Sequence, residues 1–200
     1  MSGGLVVFIS GKDPLGGRGG AQHYTRVHGL AAMRAGFEPH IFCATSHTGV
    51  VETEFGVVHR VRSSPLQVVR RDAQMEFHRS FIALHAPIVA ASLERFLLGR
   101  RGTCLIHGFS TWGYIGVLAS RHLRRRGVEV PVLTGFYTTV DHETGAKMRS
   151  VGAGHGRLQR IRFGIDHLWN KTVVAQYERR AYARSRLVTV NPRLEVTAGR

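Results

Sequence analysis

Several residue types are scarce in this sequence of 200 residues, and each scarcity excludes a class of protein. The two cysteines, Cys43 and Cys104, fall in stretches predicted as strands, so we interpret them as buried thiols rather than a disulfide or metal site. No apolar run approaches the roughly 18 residues of a membrane-spanning helix. The first residues lack a basic region followed by a long apolar segment. We therefore expect no secretory signal and a reducing, cytoplasmic location.

Acidic residues and lysines are also scarce. Thirteen acidic residues stand against 28 basic ones, of which only Lys12, Lys147 and Lys171 are lysine, and the net charge is +15. Such a charge attracts nucleic acid, anionic lipid headgroups or phosphorylated ligands. The arginines are spread along the chain, and they are not interleaved with aromatic residues that could stack on bases. We therefore expect a phosphate-rich ligand, or peripheral contact with the inner face of an anionic membrane, rather than nucleic acid.

The remaining sequence alternates predicted strands with predicted helices. Strands are predicted over 5–9, 39–44, 56–61, 103–107, 131–135 and 187–190. Helices are predicted over 20–35, 72–98 with an interruption before Pro87, 112–126 and 158–185, and a long loop over 136–156. This alternation predicts an α/β domain with a Rossmann-like parallel sheet covered by helices on both faces. Ligands of such sheets bind at the carboxyl ends of the strands, which selects loops 10–20, 43–49, 107–112 and 136–156.

The first of these loops is rich in glycine, at positions 16, 17, 19 and 20. Glycines between a strand and a helix let the backbone approach a ligand closely, and the exposed N–H groups of the following helix favour an anion such as phosphate. The same residues are equally compatible with a loop that needs positive φ angles and binds nothing.

Three common motifs fail at this loop and beyond it. Gln22 stands where a dinucleotide fingerprint needs its third glycine, and no acidic residue ends the second strand. No Gly-Lys-Ser/Thr follows, so a Walker loop is excluded. Residues 108–112 do not complete a Gly-x-Ser-x-Gly nucleophile elbow. The 12 histidines are scattered, and we expect no metal site, including at Asp141-His142-Glu143.

Several segments follow one another in a recognisable order. They are the strand over 6–10, the loop Gly19-Gly20-Ala21-Gln22, the helix and strand over 30–41, the strand end Leu105-Ile106-His107, the strand over 131–134, and the helix and strand over 178–190. In this order they resemble the N-terminal domain of GT-B fold glycosyltransferases, in particular glycosyltransferase family four. This resemblance implies the N-terminal half of a GT-B fold.

The resemblance also implies an activity and a set of site residues. The activity is metal-independent transfer of a sugar, of the hexosyltransferase type, from a nucleotide-sugar donor to a glycan or lipid-linked acceptor, without a cofactor. Gly17, Arg18, Gly19 and Gly20 would face the diphosphate of the donor, because backbone N–H groups at a helix N-terminus stabilise the negative charge of the leaving nucleotide.

The catalytic candidates lie in the later loops. His107 resembles the histidine at the end of the fourth strand of the family. Tyr137 stands where the family often has a histidine near the acceptor, and His142 lies five residues further on. A tyrosine donates a hydrogen bond to a sugar or phosphate oxygen but is a poor base at neutral pH. His107 also fits a histidine satisfied by backbone, and Tyr137 a packing aromatic.

The second, nucleotide-sugar-binding domain of the family, with its Glu-x7-Glu motif, has no counterpart in these residues. We therefore expect residues 1–200 to be an acceptor-side domain, truncated near its C-terminal end, that is inactive without the missing C-terminal domain. The alternative is a non-catalytic module that binds an anion or a glycan and pairs with a separate catalytic half.

Overall fold

The computed structural model describes residues 4–17, 19–63, 82–100, 102, 104–136, 139–150 and 156–190. Its strands are β1 (Leu5–Ser10), β2 (Glu38–Thr45), β3 (Gly49–Thr53), β4 (Gly56–Arg62), β5 (Cys104–Phe109), β6 (Val132–Phe136) and β7 (Leu187–Val190). Its α-helices are α1 (Gly20–Arg34), α2 (Ile82–Leu98), α3 (Gly113–Arg124), α4 (Val140–Ser150), α5 (Arg157–Trp169) and α6 (Ala175–Arg184). A 3-10 turn (Ser110–Trp112) precedes α3, and a π-helical segment (Asn170–Val174) joins α5 to α6.

The seven strands form one sheet in the order β3-β4-β2-β1-β5-β6-β7. Neighbouring strands are parallel except β3, which pairs antiparallel with β4 at the edge. From β1 the chain crosses first to β2 on one side and later to β5 on the other. The predicted Rossmann-like α/β fold is therefore confirmed, and its topological switch point lies between β1 and β5.

Alternate residues of the strands build the core on both faces of the sheet. Val7 and Ile9 of β1 pack with α2 and α3 on one face. Val6 and Phe8 pack on the other face, where Leu30 of α1 covers them. Successive side chains of a strand point to opposite faces of the sheet, and here both faces are covered by helices. Residues 5–9 of β1 are therefore all apolar, which explains the continuous apolar run in the sequence. Cys43 and Cys104 lie in strands as free thiols, and burial raises the pKa of Cys104 to about 11.

Three elements differ in detail from the prediction. β3 was not predicted, because its side chains alternate between exposed and half-buried and carry little apolar signal. Pro87 lies inside α2 without ending it; the predicted helical residues 72–81 lie outside the described residues. The predicted helix over 158–185 consists of α5, the π-helical segment and α6.

The predicted loop over 136–156 contains α4. The hydroxyl oxygen of Thr139 accepts a hydrogen bond from the backbone N–H of His142 at 3.0 Å, which is an N-cap contact. Asp141 and Glu143 occupy the first turn, where acidic residues complement the helix dipole. These local signals could have identified the helix, although its apolar periodicity is weak.

None of the helices in the described ranges is long and apolar enough to cross a membrane.

Candidate functional site

A cleft of about 410 Å³ opens at the carboxyl ends of β1 and β5, at the switch point of the sheet. Its lining residues are Ser10, Gly11, Gly20, Ala21, Tyr24, Thr25, Phe109, Ser110, Thr111, Trp112 and Glu143. One wall is the start of α1, and the other is the 3-10 turn after β5. Open parallel sheets bind ligands at this position because the connections after the two neighbouring strands run in opposite directions and leave a crevice between them.

The loop between β1 and α1 is held at both of its ends. Arg60 of β4 donates to the carboxylate of Asp13 at 2.8 Å. Arg26 of α1 donates through Nε to the carbonyl oxygen of Pro14 at 2.7 Å and through Nη2 to that of Gly17 at 3.0 Å. Gly17 has a φ of 151°, a backbone conformation that residues other than glycine rarely adopt. The glycine loop is therefore a positioned element of the site.

The N-terminus of α1 faces the cleft without a capping side chain. Gly19 is the N-cap residue and makes no side-chain cap. A Cβ on Gly20 would meet no atom within 4 Å, so the space beside its backbone is open. Uncapped N–H groups and the positive end of the helix dipole make this wall attractive to an anion. Arg18 lies outside the described residues, while Gly17 and Gly19 support the wall without lining the cleft.

The opposite wall has an unusual backbone. Ser110 has a φ of 48°, in the left-handed region that serine seldom occupies. Gly11 lies against the indole of Trp112, and a Cβ at Gly11 would overlap that ring. A glycine is therefore required for Trp112 to close the cleft next to β1. Strained residues of this kind are common at ligand sites, where surrounding contacts hold them in place.

Those contacts come from Glu178 of α6, which is 4% exposed. Its carboxylate accepts hydrogen bonds from the hydroxyl of Ser110, from the backbone N–H of Val140 at 3.1 Å, and from the hydroxyl of Tyr182 at 3.3 Å. Burial and the neighbouring carboxylate raise the pKa of Tyr182, so its hydroxyl stays protonated as a donor. Glu178 thus ties the 3-10 turn, α4 and α6 into one frame.

Sequence reasoning did not assign Glu178 to the site. It entered only as the first residue of the segment 178–190 in the family resemblance. The available signal was an acidic residue in a chain with few of them, followed directly by Arg179 and Arg180. That pattern alone is equally typical of a solvated helix face, and only the packing of α6 shows that the carboxylate is buried.

His107 lies beneath the cleft instead of lining it. Its side chain is 7% exposed and packs with the rings of Phe8, His28 and Phe109 at centroid distances of 5.6, 5.9 and 4.4 Å. Within the described ranges, its Nε2 atom has no hydrogen-bond partner. Burial, with a smaller contribution from His28, lowers the pKa of His107 to about 4. The imidazole is therefore neutral near pH 7 and holds an unused polar atom beside β6.

The structure describes one of the two other catalytic candidates. His142 is exposed on α4, and its neighbour Glu143 lines the cleft in its place. Tyr137 lies outside the described residues. Of the predicted site residues that the structure describes, Gly20 lines the cleft. Across the described ranges there is no group of three or more His, Cys, Asp or Glu side chains that could hold a metal ion.

These features define a doubly wound α/β domain with a cleft at its switch point, one wall of which is the N-terminus of α1. No family model matches the sequence, and no curated protein matches it. Among solved structures, the catalytic domain of starch synthase IV from Arabidopsis thaliana bound to ADP and acarbose aligns with a TM-score of 0.47 and 15% identity, over 68% of this chain and 34% of that one. The NocB thioesterase domain, in covalent complex with a fluorophosphonate nocardicin G analogue, aligns with a TM-score of 0.38 and 17% identity, over 88% and 66%.

The chain thus spans about a third of the length of the starch synthase domain. Both alignments are loose, and the two proteins are of different kinds. The comparisons therefore fix neither the family nor the activity of this chain, and the functional argument rests on its own residues.

Proposed function

We propose that these residues form the acceptor-side, N-terminal domain of a GT-B glycosyltransferase similar to family four. The enzyme would move a sugar from a nucleotide-sugar donor to a glycan or lipid-linked acceptor. The observation that carries this proposal is the cleft at the switch point, where the uncapped N-terminus of α1 faces the turn that Glu178 holds. The segment order that resembles the family supports the same assignment.

The diphosphate of the donor is the group that fits the α1 wall. Transfer of the sugar leaves negative charge on the nucleotide, and fixed backbone dipoles stabilise such charge without reorganising. The backbone N–H groups of Gly20 and Ala21 lie at the start of α1, beside the open space of the cleft. We assign Gly17 and Gly19 to shaping this loop, and Arg18 to a direct cationic contact with the diphosphate.

The remaining lining residues suit a sugar acceptor. Tyr24, Phe109 and Trp112 provide aromatic surface, against which the apolar face of a sugar ring packs, and Glu143 can accept hydrogen bonds from hydroxyl groups. We propose that Tyr137 and His142 contact the acceptor from the segment that follows β6. His107 is then a neutral group behind the aromatic wall, with a pKa of about 4.

The cleft supplies one wall of a donor site. A second nucleotide-binding domain would supply the other, so we propose that residues 1–200 bind a nucleotide diphosphate weakly and do not turn over alone. No metal ion and no cofactor enter this scheme, because the backbone dipoles supply the positive field.

Substitution of Gly20 tests the α1 wall directly. Because a Cβ at Gly20 meets no atom within 4 Å, both Gly20→Asn and Gly20→Asp should fold, and a negative charge in the first turn favours the helix. We expect Gly20→Asp to weaken binding of ADP, UDP or GDP by about tenfold relative to Gly20→Asn, because it places a like charge beside the diphosphate. Isothermal titration calorimetry measures this ratio, with the corresponding nucleosides as ligands without phosphate.

Equal affinities of the two variants would contradict a diphosphate at this wall. Robust sugar transfer by residues 1–200 alone would contradict the need for a second domain.

The coding sequence after Arg200 distinguishes the glycosyltransferase from the non-catalytic binding module. A Glu-x7-Glu motif in the same reading frame favours the glycosyltransferase. Glycan or anion binding by a chain whose reading frame ends there favours the non-catalytic module.

A further inference from the structure

α5 carries an exposed apolar face that the proposed function leaves without a role. Five of its large apolar side chains are between 45% and 82% exposed to solvent, and no residue of α5 is buried. They are Leu158, Ile161, Ile165, Leu168 and Trp169, which we call the α5 stripe. The apolar face of an amphipathic helix normally packs on the core of its own domain, whereas the α5 stripe faces solvent.

The stripe is one continuous surface with basic borders. Spacings of three and four residues place its members within an arc of about 100° on the helix. Arg157 and Arg162 are exposed and flank this arc on its two sides. Phe163 and His167, which are half-buried, lie on the opposite side of the helix. The helix therefore contacts its own domain through a narrow, mixed face and presents its apolar face outward.

The charge around the stripe is positive. Arg157 and Arg162 are exposed on either side of the stripe, and the one acidic residue of the helix, Asp166, accepts a hydrogen bond from the side chain of Asn170 at 3.1 Å. The whole chain carries a net charge of +15. An apolar face with a tryptophan at one end and arginines along its borders matches helices that lie in the interface of an anionic bilayer.

We propose that α5 docks on an anionic lipid surface, with the α5 stripe inserted among the acyl chains and its bordering arginines on the headgroups. This contact does not depend on the glycosyltransferase assignment. A second copy of the chain fits less well, because pairing two stripes would bring their arginine borders together. A nucleic acid would engage the arginines but would leave the stripe in water or bury it against charged phosphates.

Vesicle binding by the 200-residue chain tests the proposal. We expect binding to vesicles of equimolar phosphatidylcholine and phosphatidylserine, and little binding to phosphatidylcholine alone. Ile161→Ser with Ile165→Ser should weaken binding by about tenfold or more, because each isoleucine loses its apolar contact with lipid. Arg157→Gln with Arg162→Gln should weaken it by about 25-fold in total and reduce its dependence on salt.

Two control variants remove side chains of the same kinds from other parts of the surface. Val50→Ser removes an apolar side chain of similar exposure from β3, and Arg124→Gln with Arg125→Gln removes two exposed arginines at the C-terminal end of α3. These variants should bind as the parent chain does. Circular dichroism melts verify that each variant folds, which is expected because the replaced side chains are exposed.

Trp169 gives a direct reading of insertion. On the anionic vesicles its fluorescence should shift to shorter wavelength and be quenched by brominated phosphatidylcholine. Both signals should disappear in Trp169→Phe, in which Trp112 remains.

Four outcomes would overturn the proposal. These are equal binding to both vesicle types, unchanged binding of the isoleucine variant, a dimer that Ile161→Ser with Ile165→Ser dissociates without any vesicle binding, and binding to an oligonucleotide but not to vesicles.

Discussion

Glu178 is the side chain on which three elements around the cleft converge. It accepts hydrogen bonds from Ser110 in the 3-10 turn, from the first N–H group of α4, and from Tyr182 in its own helix. Ser110 is 68 residues away in sequence, so no local pattern connects the two. The left-handed backbone of Ser110 costs about 1–3 kcal/mol, and the carboxylate is the contact that offsets this cost.

Replacement of Glu178 should therefore destabilise the domain. Glu178→Gln keeps the shape but removes the charge and one acceptor oxygen, so that a single amide oxygen must accept from the three donors that the two carboxylate oxygens share. We expect a loss of about 1–3 kcal/mol in the free energy of unfolding, measured by urea denaturation. Glu129→Gln is the matched control because Glu129 is exposed, and it should change stability little. Equal effects of the two substitutions would mean that the buried network contributes nothing.

The helices α1 and α5 each contain an internal glycine, and the surroundings of the two glycines differ. In α1, Gly29 lies against the turn between β3 and β4, and a Cβ there would overlap the carbonyl oxygen of Phe55. In α5, a Cβ on Gly164 would meet no atom within 4 Å. Both glycines are inside helices, where glycine is about 1 kcal/mol less favourable than alanine. Only the first has a packing reason to be glycine.

Alanine substitutions at these two positions should have opposite signs. Gly164→Ala should stabilise the protein by about 0.5–1 kcal/mol, because it gains helix propensity without a clash. Gly29→Ala should destabilise it by about 1–3 kcal/mol, since α1 must move away from β4 to admit the methyl group. Thermal and urea denaturation of the two variants measure both changes. Stabilisation by Gly29→Ala would show that α1 does not pack as closely on the sheet as the structure indicates.

At the scale of the whole molecule, buried histidines link stability to pH. Burial lowers the pKa of His59, His85 and His107 to about 4 each, and it also lowers the pKa of His28 and His40. In the unfolded chain these groups titrate near pH 6.5. Below that pH the unfolded state binds more protons than the folded state does. Stability is therefore highest above about pH 6.5 and falls as the pH drops toward 4.

His107→Asn isolates one part of this dependence. Between about pH 7 and pH 5, a histidine whose pKa falls from about 6.5 to about 4 on folding removes roughly 2 kcal/mol of stability. The loss of unfolding free energy over this range should be smaller in His107→Asn by that amount. His47→Asn, on the exposed loop after β2, is the control and should show the dependence of the parent chain. An unchanged pH dependence in His107→Asn would mean that the imidazole is accessible to protons in the folded state.

The sequence by itself determined the α/β class, six of the seven strands and the glycine-rich turn after β1. These follow from local rules, since a strand buried on both faces needs a continuous apolar run and a tight approach of backbone needs glycine. The start of α4 was also encoded locally, in Thr139 and the acidic residues after it.

The tertiary structure alone decided which residues form the site. Strand order places the turn after β5 opposite the start of α1, and the packing of α6 buries Glu178 behind that turn. The tertiary structure also places His107 beneath the cleft, leaves His142 exposed on α4, and directs the α5 stripe to solvent. Such contacts join segments far apart in the chain, and periodicity shows that a face is apolar without showing what lies against it.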